Sequence, residues 1–243
     1  MTKKFFIENF KTLFYALIIA IFIRSIFIQP FYIPSSSMEP NLLVGDRLFV
    51  SKYSYGYSRH SFPFSPRIFT GRILKKLPKR GDVIVFKTPT DNRTDYIKRL
   101  IGLPGDKIQI KNKDLYVNDI KIKKRKIETS LKITCGDKIL QTDVYEETLP
   151  NGKKYLTAYR KEGTMVNTDE FIVPKKNYFF LGDNRDCSND SRFLSTLGYV
   201  NINNLVGKAR IIFFSNDKKK GSFLEFWNWD QIVREDRFFR KIQ

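Results

Sequence analysis

Two neighbouring stretches, Gly81-Asp-Val-Ile-Val-Phe-Lys87 and Asp95-Tyr-Ile-Lys-Arg-Leu-Ile-Gly-Leu-Pro-Gly-Asp106, decide the fold class. The first is a short β-rich run opened by a turn and closed by Pro89. In the second, Tyr96, Lys98 and Leu100 fall on one side of an extended chain, and Ile97, Arg99 and Ile101 on the other. Gly102-Leu-Pro-Gly-Asp106 is a turn, after which Lys107-Ile-Gln-Ile110 resumes the alternation. Tyr178-Phe-Phe-Leu181 and Ala209-Arg-Ile-Ile-Phe-Phe214 read as further strands. No stretch of helical period interrupts residues 81–214, so the chain is expected to be mainly β, with an antiparallel β domain over 32–110 and 175–216.

Between those two segments, residues 111–174 differ in character. They carry the run Lys121-Ile-Lys-Lys-Arg-Lys126 and hairpin-type turns at Asn118-Asp119 and Asn151-Gly152, with few long apolar runs. An inserted, solvated, basic β-ribbon subdomain is expected there. Downstream, residues 217–243 form a tail mixing aromatic and basic residues, from Ser222-Phe-Leu-Glu-Phe-Trp-Asn-Trp-Asp230 to Arg240 and Lys241. Such a mixture suits a membrane interface, and equally a tail packed on the domain.

Upstream, residues 1–11 contain Lys3, Lys4 and Lys11 against the single acid Glu8. The apolar stretch from Leu13 continues to Pro34, interrupted at Arg24 and Ser25. Residues 12–31 suffice to span a bilayer core of about 20 residues if Arg24 snorkels to an interface. A cleavable leader would be followed by a small-residue cleavage site, but Gln-Pro-Phe-Tyr-Ile-Pro follows here. A buried core helix would not carry Phe and Ile on every side. The segment is read as an uncleaved transmembrane anchor. The lysines before it place residues 1–11 in the cytoplasm and the rest of the chain outside.

Composition excludes several chemistries. The 243 residues carry 44 Lys+Arg against 25 Asp+Glu, a formal charge of +19, which suits an anionic lipid surface. Nucleic acid would also attract such a charge, but an exported domain seldom meets any. With one histidine, a Ser-His-Asp triad would have to use His60, which lies in a Tyr/Ser/Pro-rich stretch without an acidic neighbour. Cys135, Cys187 and His60 are too few for an ordinary four-ligand zinc site, and whether the two cysteines pair is not legible. No metal and no organic cofactor is expected.

Three stretches carry chemistry. Ile33-Pro-Ser-Ser-Ser-Met-Glu-Pro40 reads as a linker by its serines, yet two prolines stiffen it and apolar residues flank it. Lys98 sits in an apolar strand; an ordinary lysine has a pKa near ~10.4, and burial can lower that by about 3–5 units, making the amine a usable general base. Leu181-Gly-Asp-Asn-Arg-Asp-Cys-Ser-Asn-Asp-Ser-Arg192 is either a solvated turn or a salt-bridged loop that props up a site; it fails the EF-hand spacing. A serine nucleophile needs a base, and lysine is the remaining candidate. Chemistry alone writes the Ser-Lys pair without saying which serine or which lysine.

Pro34-Ser-Ser-Ser-Met38, Arg80-Gly-Asp-Val-Ile-Val-Phe86, Tyr96 to Asp106 and Gly182 to Arg192, in that order behind an anchor, together resemble the motifs of the bacterial type I signal peptidases. The resemblance covers about 34–106 and 178–214. It implies Ser37 as nucleophile and Lys98 as general base, with Ser35 and the Ser37 N–H as oxyanion hole. It further implies that Ser188 orients the lysine amine and that Asp190 and Arg192 form a supporting salt bridge. The implied substrates are exported preproteins cut after a small-x-small, typically Ala-x-Ala, motif at the outer face of a bacterial inner membrane. The implied pocket before the cut is made by Ile33, Met38, Leu42, Tyr96 and Ile97. Two residues further back, Phe31, Leu48, Val85 and Asp95 would form a second pocket.

Two positions depart from the family. Ser36 stands where glycine is common, and Cys187 where asparagine is common, the latter expected to matter little. Two other classes fit parts of the chain. A membrane-anchored binding protein of the same fold would lack a working dyad, and a cytoplasmic Ser-Lys autoprotease would carry a DNA-binding helical domain.

Overall fold

The structure, a computed structural model, describes residues 3–67, 69–136, 138–160, 165–217, 220–221 and 225–243. Helix α1 (Lys3–Ile26) is followed by strands β1 (Ile28–Tyr32), β2 (Asp46–Ser51), β3 (Val83–Lys87), β4 (Asp95–Gly102) and β5 (Lys107–Lys111). Next come β6 (Asp114–Val117), β7 (Ile120–Lys121), β8 (Lys123–Cys135), β9 (Lys138–Thr148), β10 (Lys154–Arg160) and β11 (Phe171–Ile172). The chain continues through β12 (Asn177–Leu181), β13 (Val200–Asn201), β14 (Leu205–Ser215), the short helix α2 (Trp229–Ile232) and β15 (Arg240–Lys241).

The main sheet has eight strands in the order β1-β2-β14-β3-β4-β12-β13, with β15 added on β14, and every pair is antiparallel. The mainly β architecture expected from the alternating stretches is what the chain adopts. In β3, the unbroken Val-Ile-Val-Phe run is buried on both faces, because β3 lies between β14 and β4 with apolar clusters on either side. Its partner β4 pairs Val85 with Ile97, Ile84 with Lys98 and Val83 with Arg99.

Helix α1 differs from the expected anchor in both limits. Its apolar part, Phe5–Ile26, is 22 residues long and exposed except at its end, where Ser25 is buried and Ile26 half-buried. At 1.5 Å per residue it reaches about 33 Å, matching a hydrocarbon core of about 30 Å. The anchor expected over 12–31 is corrected at its far end: the helix stops at Ile26, and residues 28–32 form β1, paired with β2. Pro30 is the physical reason. It cannot donate within a helix and biases Gln29 towards an extended conformation, whereas an edge strand such as β1 tolerates it.

The insert is corrected too, since it is not a solvated ribbon. Strands β8, β9 and β10 form one sheet; β5, β6, β7 and β11 form another, so β5 belongs with the insert rather than with the catalytic sheet. Ile108, Leu115, Val117, Leu149 and Tyr155 pack with Ile101, Phe179 and Leu181 of the main sheet in one buried cluster. Glu147 of β9, fully buried, accepts hydrogen bonds from the Tyr155 and Tyr159 hydroxyls (2.7 and 2.8 Å) and an ion pair from Arg185 (2.7 Å). The basic run 121–126 lies on the outer strands of these sheets, where Lys121, Lys124, Arg125 and Lys126 each find an acidic partner.

Cys135, at the end of β8, and Cys187 form a disulfide across 52 residues of sequence. Cys187 therefore carries a covalent brace, contrary to the expectation that it matters little. Closing a loop of that length stabilises by about 2–4 kcal/mol. The Cys135→Ser/Cys187→Ser variant is expected to unfold that much more easily, and reductant should lower the thermal midpoint of the wild type alone. A midpoint that reductant leaves unchanged would contradict the brace.

The tail packs on the β domain through Arg237 and its last residue. Arg237 makes a bidentate contact with Asp46 (2.6 and 2.9 Å), both buried, and the Gln243 carbonyl accepts from Arg99 (2.7 Å). Trp227 and Trp229 remain exposed, while Ser222 to Leu224 of the same segment lie outside the described residues.

Candidate active site

The three serines occupy a turn rather than a linker. Ser35 is extended, and Ser36–Met38 form a single 3₁₀ turn that buries Ser36, Ser37 and Met38. Met38 is fully buried in a cluster with Ile33, Leu42, Leu48, Val50, Val83 and Val85, so the apolar flanks of the stretch are what fix it in place. The turn is then clamped from the third motif. The Asn184 N–H donates to the Ser37 carbonyl (3.1 Å), and its side-chain amide donates to the Ser36 carbonyl (3.2 Å).

From β4, the Lys98 side chain reaches this turn, and its amine lies 2.5 Å from Ser37 Oγ. Lys98 is 4% exposed. Burial pulls its pKa down from the usual lysine value to about 8, against the partial opposition of Asp190 and Asp183. No carboxylate pairs with the amine among the described residues; its other close neighbour is the Tyr96 ring, 5.3 Å from Nζ to the centroid. A desolvated amine in contact with a hydroxyl can take the hydroxyl's proton at mildly alkaline pH. Of the other two hydroxyls, Ser35 Oγ stands 3.4 Å from Ser37 Oγ, and Ser36 Oγ turns away to Cys187 Sγ at 3.8 Å.

Ser188 is brought to the same place, but the hydrogen bond to the amine implied by the resemblance is not formed: its buried hydroxyl has no partner among the described residues. Gly182 explains how closely the loop approaches. A Cβ there would stand 2.2 Å from Ser188 Oγ and 2.5 Å from the Ser37 carbonyl oxygen, so only glycine fits between the loop and the turn. Asp190 and Arg192 do form a bidentate ion pair (2.8 Å each) with both side chains buried. Burial pushes the Asp190 carboxyl up, yet Arg192, the Gly182 N–H and Lys98 outweigh it and hold the carboxyl below its ordinary value.

The nine residues expected to line substrate pockets divide. Ile33, Met38, Leu42, Leu48 and Val85 are buried in one apolar cluster, with Phe31 and Ile97 half-buried against it. Tyr96 belongs to a different cluster, against Phe86 and Phe180. Asp95 is exposed and pairs with Lys87 at 2.8 Å, so it is a charged rim rather than an apolar wall.

Sequence reasoning missed the pair that holds the site together. Arg99, next to Lys98 but on the opposite face of β4, makes a bidentate contact with Asp183 (2.7 Å each), both about 1% exposed. Asp183 also accepts from Asn41 (2.7 Å), just beyond the serine turn. The signal was available: an arginine inside an otherwise apolar strand needs a buried carboxylate.

The family model for "Signal peptidase, peptidase S26" matches residues 6–214. Signal peptidase I of Rickettsia bellii (strain OSU 85-389) is 41% identical over 97% of this chain and 85% of its own length. That of Rickettsia canadensis (strain McKiel) is 41% identical over 99% of this chain and 95% of its own. Among solved structures, a signal peptidase I from Enterococcus faecalis V583 is 25% identical, with a TM-score of 0.33, over 55% of this chain and 97% of that one.

Proposed function

The chain belongs to the signal peptidase family, peptidase S26, as a membrane-anchored enzyme that removes signal peptides, and from that premise we propose that Ser37 cuts exported preproteins after a small-x-small motif with Lys98 as its base. The single observation carrying this reading is the buried Lys98 amine 2.5 Å from Ser37 Oγ.

In the mechanism, neutral Lys98 takes the Ser37 proton as Oγ attacks the scissile carbonyl. The tetrahedral oxyanion is held by the Ser35 hydroxyl and the Ser37 N–H. Collapse expels the new amino terminus of the mature protein, which receives the proton from Lys98, and leaves an acyl ester on Ser37. Water activated by the same amine then releases the signal peptide. Ser188, whose buried hydroxyl has no partner among the described residues, orients the amine when Lys98 turns from Ser37. Phe31 and Ile97, two of the half-buried residues on their cluster, meet the small side chains of an extended substrate. The N-terminal end of α1 faces the cytoplasm, and the β domain works on the outer face of the bacterial inner membrane.

The test is cleavage of an Ala-x-Ala preprotein by the full chain in detergent, with the product's N-terminus sequenced. Ser37→Ala is expected to leave no cleavage, whereas Ser36→Ala, whose hydroxyl faces Cys187, keeps wild-type activity within a few-fold. Cleavage surviving in Ser37→Ala would transfer the role to another serine.

A pH dependence follows from the lysine. Below pH 8 the amine is protonated and cannot accept; above it the neutral base dominates. The logarithm of kcat/KM is expected to rise with unit slope up to about pH 8 and then level off. A profile flat from pH 6 to 9 would remove Lys98 from the role of base.

A further inference from the structure

A cavity of about 610 Å³ opens beside the end of α1, where Arg24 lines it. Arg24, Arg59, Arg67, Lys87 and Arg93 line it, against the two carboxylates Asp91 and Asp95. Both carboxylates are already engaged. Asp95 pairs with Lys87 at 2.8 Å, and Asp91 accepts from the Thr88 and Thr94 hydroxyls and from the N–H groups of Arg93 and Thr94. Arg24, Arg67 and Arg93 form no ion pair among the described residues. Arg59 is steered by a neutral group instead, donating from Nε to His60 Nε2 (3.2 Å), while His60 Nδ1 pairs with Ser65 Oγ (2.9 Å).

The cavity is tied to the membrane boundary. Arg24 lies in the last turn of α1. The Tyr57 hydroxyl donates to the Ile26 carbonyl (3.0 Å), and the Lys52 N–H donates to the Phe27 carbonyl (3.0 Å). On the same lining, Phe64 is completely exposed and held at φ 61°, a left-handed conformation unfavourable for a bulky residue. An aromatic ring offered outward beside unpaired guanidinium groups is the arrangement of a surface that meets acyl chains and phosphates together.

We propose that this cavity binds the phosphate of anionic phospholipid head groups, with Phe64 seated among the adjoining acyl chains. The proposal rests on the membrane-anchored reading and not on the peptidase chemistry, since neither Ser37 nor Lys98 lines the cavity. Its place matters for the reaction, because Phe31 and Asp95 border both the cavity and the candidate substrate cleft. A bound lipid would hold the cleft at the membrane surface.

The full chain in dodecyl maltoside would be titrated calorimetrically with dihexanoyl-phosphatidylglycerol, dihexanoyl-phosphatidylcholine, inorganic phosphate and a poly-glutamate peptide. Phosphatidylglycerol is expected to bind saturably and more tightly than the other three. The variant Arg59→Gln/Arg67→Gln/Arg93→Gln should weaken that binding about 10- to 100-fold. Removing equal charge elsewhere, by Lys132→Gln/Lys138→Gln/Lys175→Gln, should leave it within two-fold. Phe64→Ser should weaken phosphatidylglycerol several-fold while leaving inorganic phosphate unchanged.

Equal losses in both triple variants would mean diffuse charge attraction and overturn the site. Phosphate binding as tightly as the lipid, with Phe64→Ser silent, would make it a free-anion site; tighter poly-glutamate binding would make it a peptide site. Either result overturns the lipid assignment. The arginine variant should cleave preprotein in detergent at the wild-type rate, so failure of the lipid site and failure of the peptidase reading are separable.

Discussion

Lys98→Met is expected to reduce kcat/KM for preprotein cleavage by at least about 1,000- to 10,000-fold, the scale of loss when a nucleophile is left without its base. The variant should stay folded, because methionine is unbranched, fits a lysine-shaped slot and carries no charge into it. Stability should in fact rise at neutral pH. The Lys98 pKa is lowered to about 8 in the folded protein by burial, against about 10.5 when unfolded. The unfolded chain therefore binds more protons between those values, and wild-type stability increases with pH from about 8 to 10.5. Below pH 8 the whole penalty for a buried cation is present, and the methionine variant escapes it. A thermal melt at pH 7 placing Lys98→Met at or above wild type, together with lost cleavage, separates chemistry from folding. A variant that melts normally and still cleaves would remove the lysine from the mechanism.

The second large effect concerns Arg99 and Asp183. Arg99→Met leaves the Asp183 carboxylate buried without its guanidinium, and breaking such a pair from one side costs about 3–5 kcal/mol. Arg99 also donates to the Gly81 carbonyl (3.0 Å) and to the Gln243 carbonyl (2.7 Å), and it stacks over the Tyr155 ring at 4.2 Å. Sheet, tail and insert therefore meet at one side chain. For a chain of this size the melting temperature should fall by about 10 °C or more. Asp183→Leu should do comparable damage, by stranding the arginine. The double variant Arg99→Met/Asp183→Leu should recover much of the loss, since no buried charge remains unpaired. Additive losses in the double variant would show that the two groups do not act as a pair. Cleavage should fall with Arg99→Met even below its melting temperature, because Asn184, adjacent to Asp183, holds the carbonyls of Ser36 and Ser37.

Much of this was legible in the residues. Alternation in 95–101 and the apolar run 83–86 specify strands, because extended chains place successive side chains on opposite faces. The dense polar stretch 182–192 read equally as a solvated turn or a bonded loop, and the Asp190–Arg192 pair, two residues apart, makes it the bonded loop. What failed were judgements that depended on partners remote in sequence. The insert read as solvated because its polar residues are visible locally, whereas its burial against Phe179 and Leu181 is not. The helix end is a local matter: apolar character runs on past Ile26, and Pro30 marks the change to strand.

By itself, then, the sequence determined the mainly β class and the apolar N-terminal helix; these follow from periodicity and length, which are local properties. The motifs singled out Ser37 and Lys98, but only the tertiary structure shows the two side chains in contact. It brings them to 2.5 Å from 61 positions apart, and it makes Lys98 a poor holder of protons by surrounding it. It also paired Cys135 with Cys187 and Arg99 with Asp183. Desolvation and contact geometry arise from segments that only folding brings together, so no inspection of either neighbourhood alone contains them.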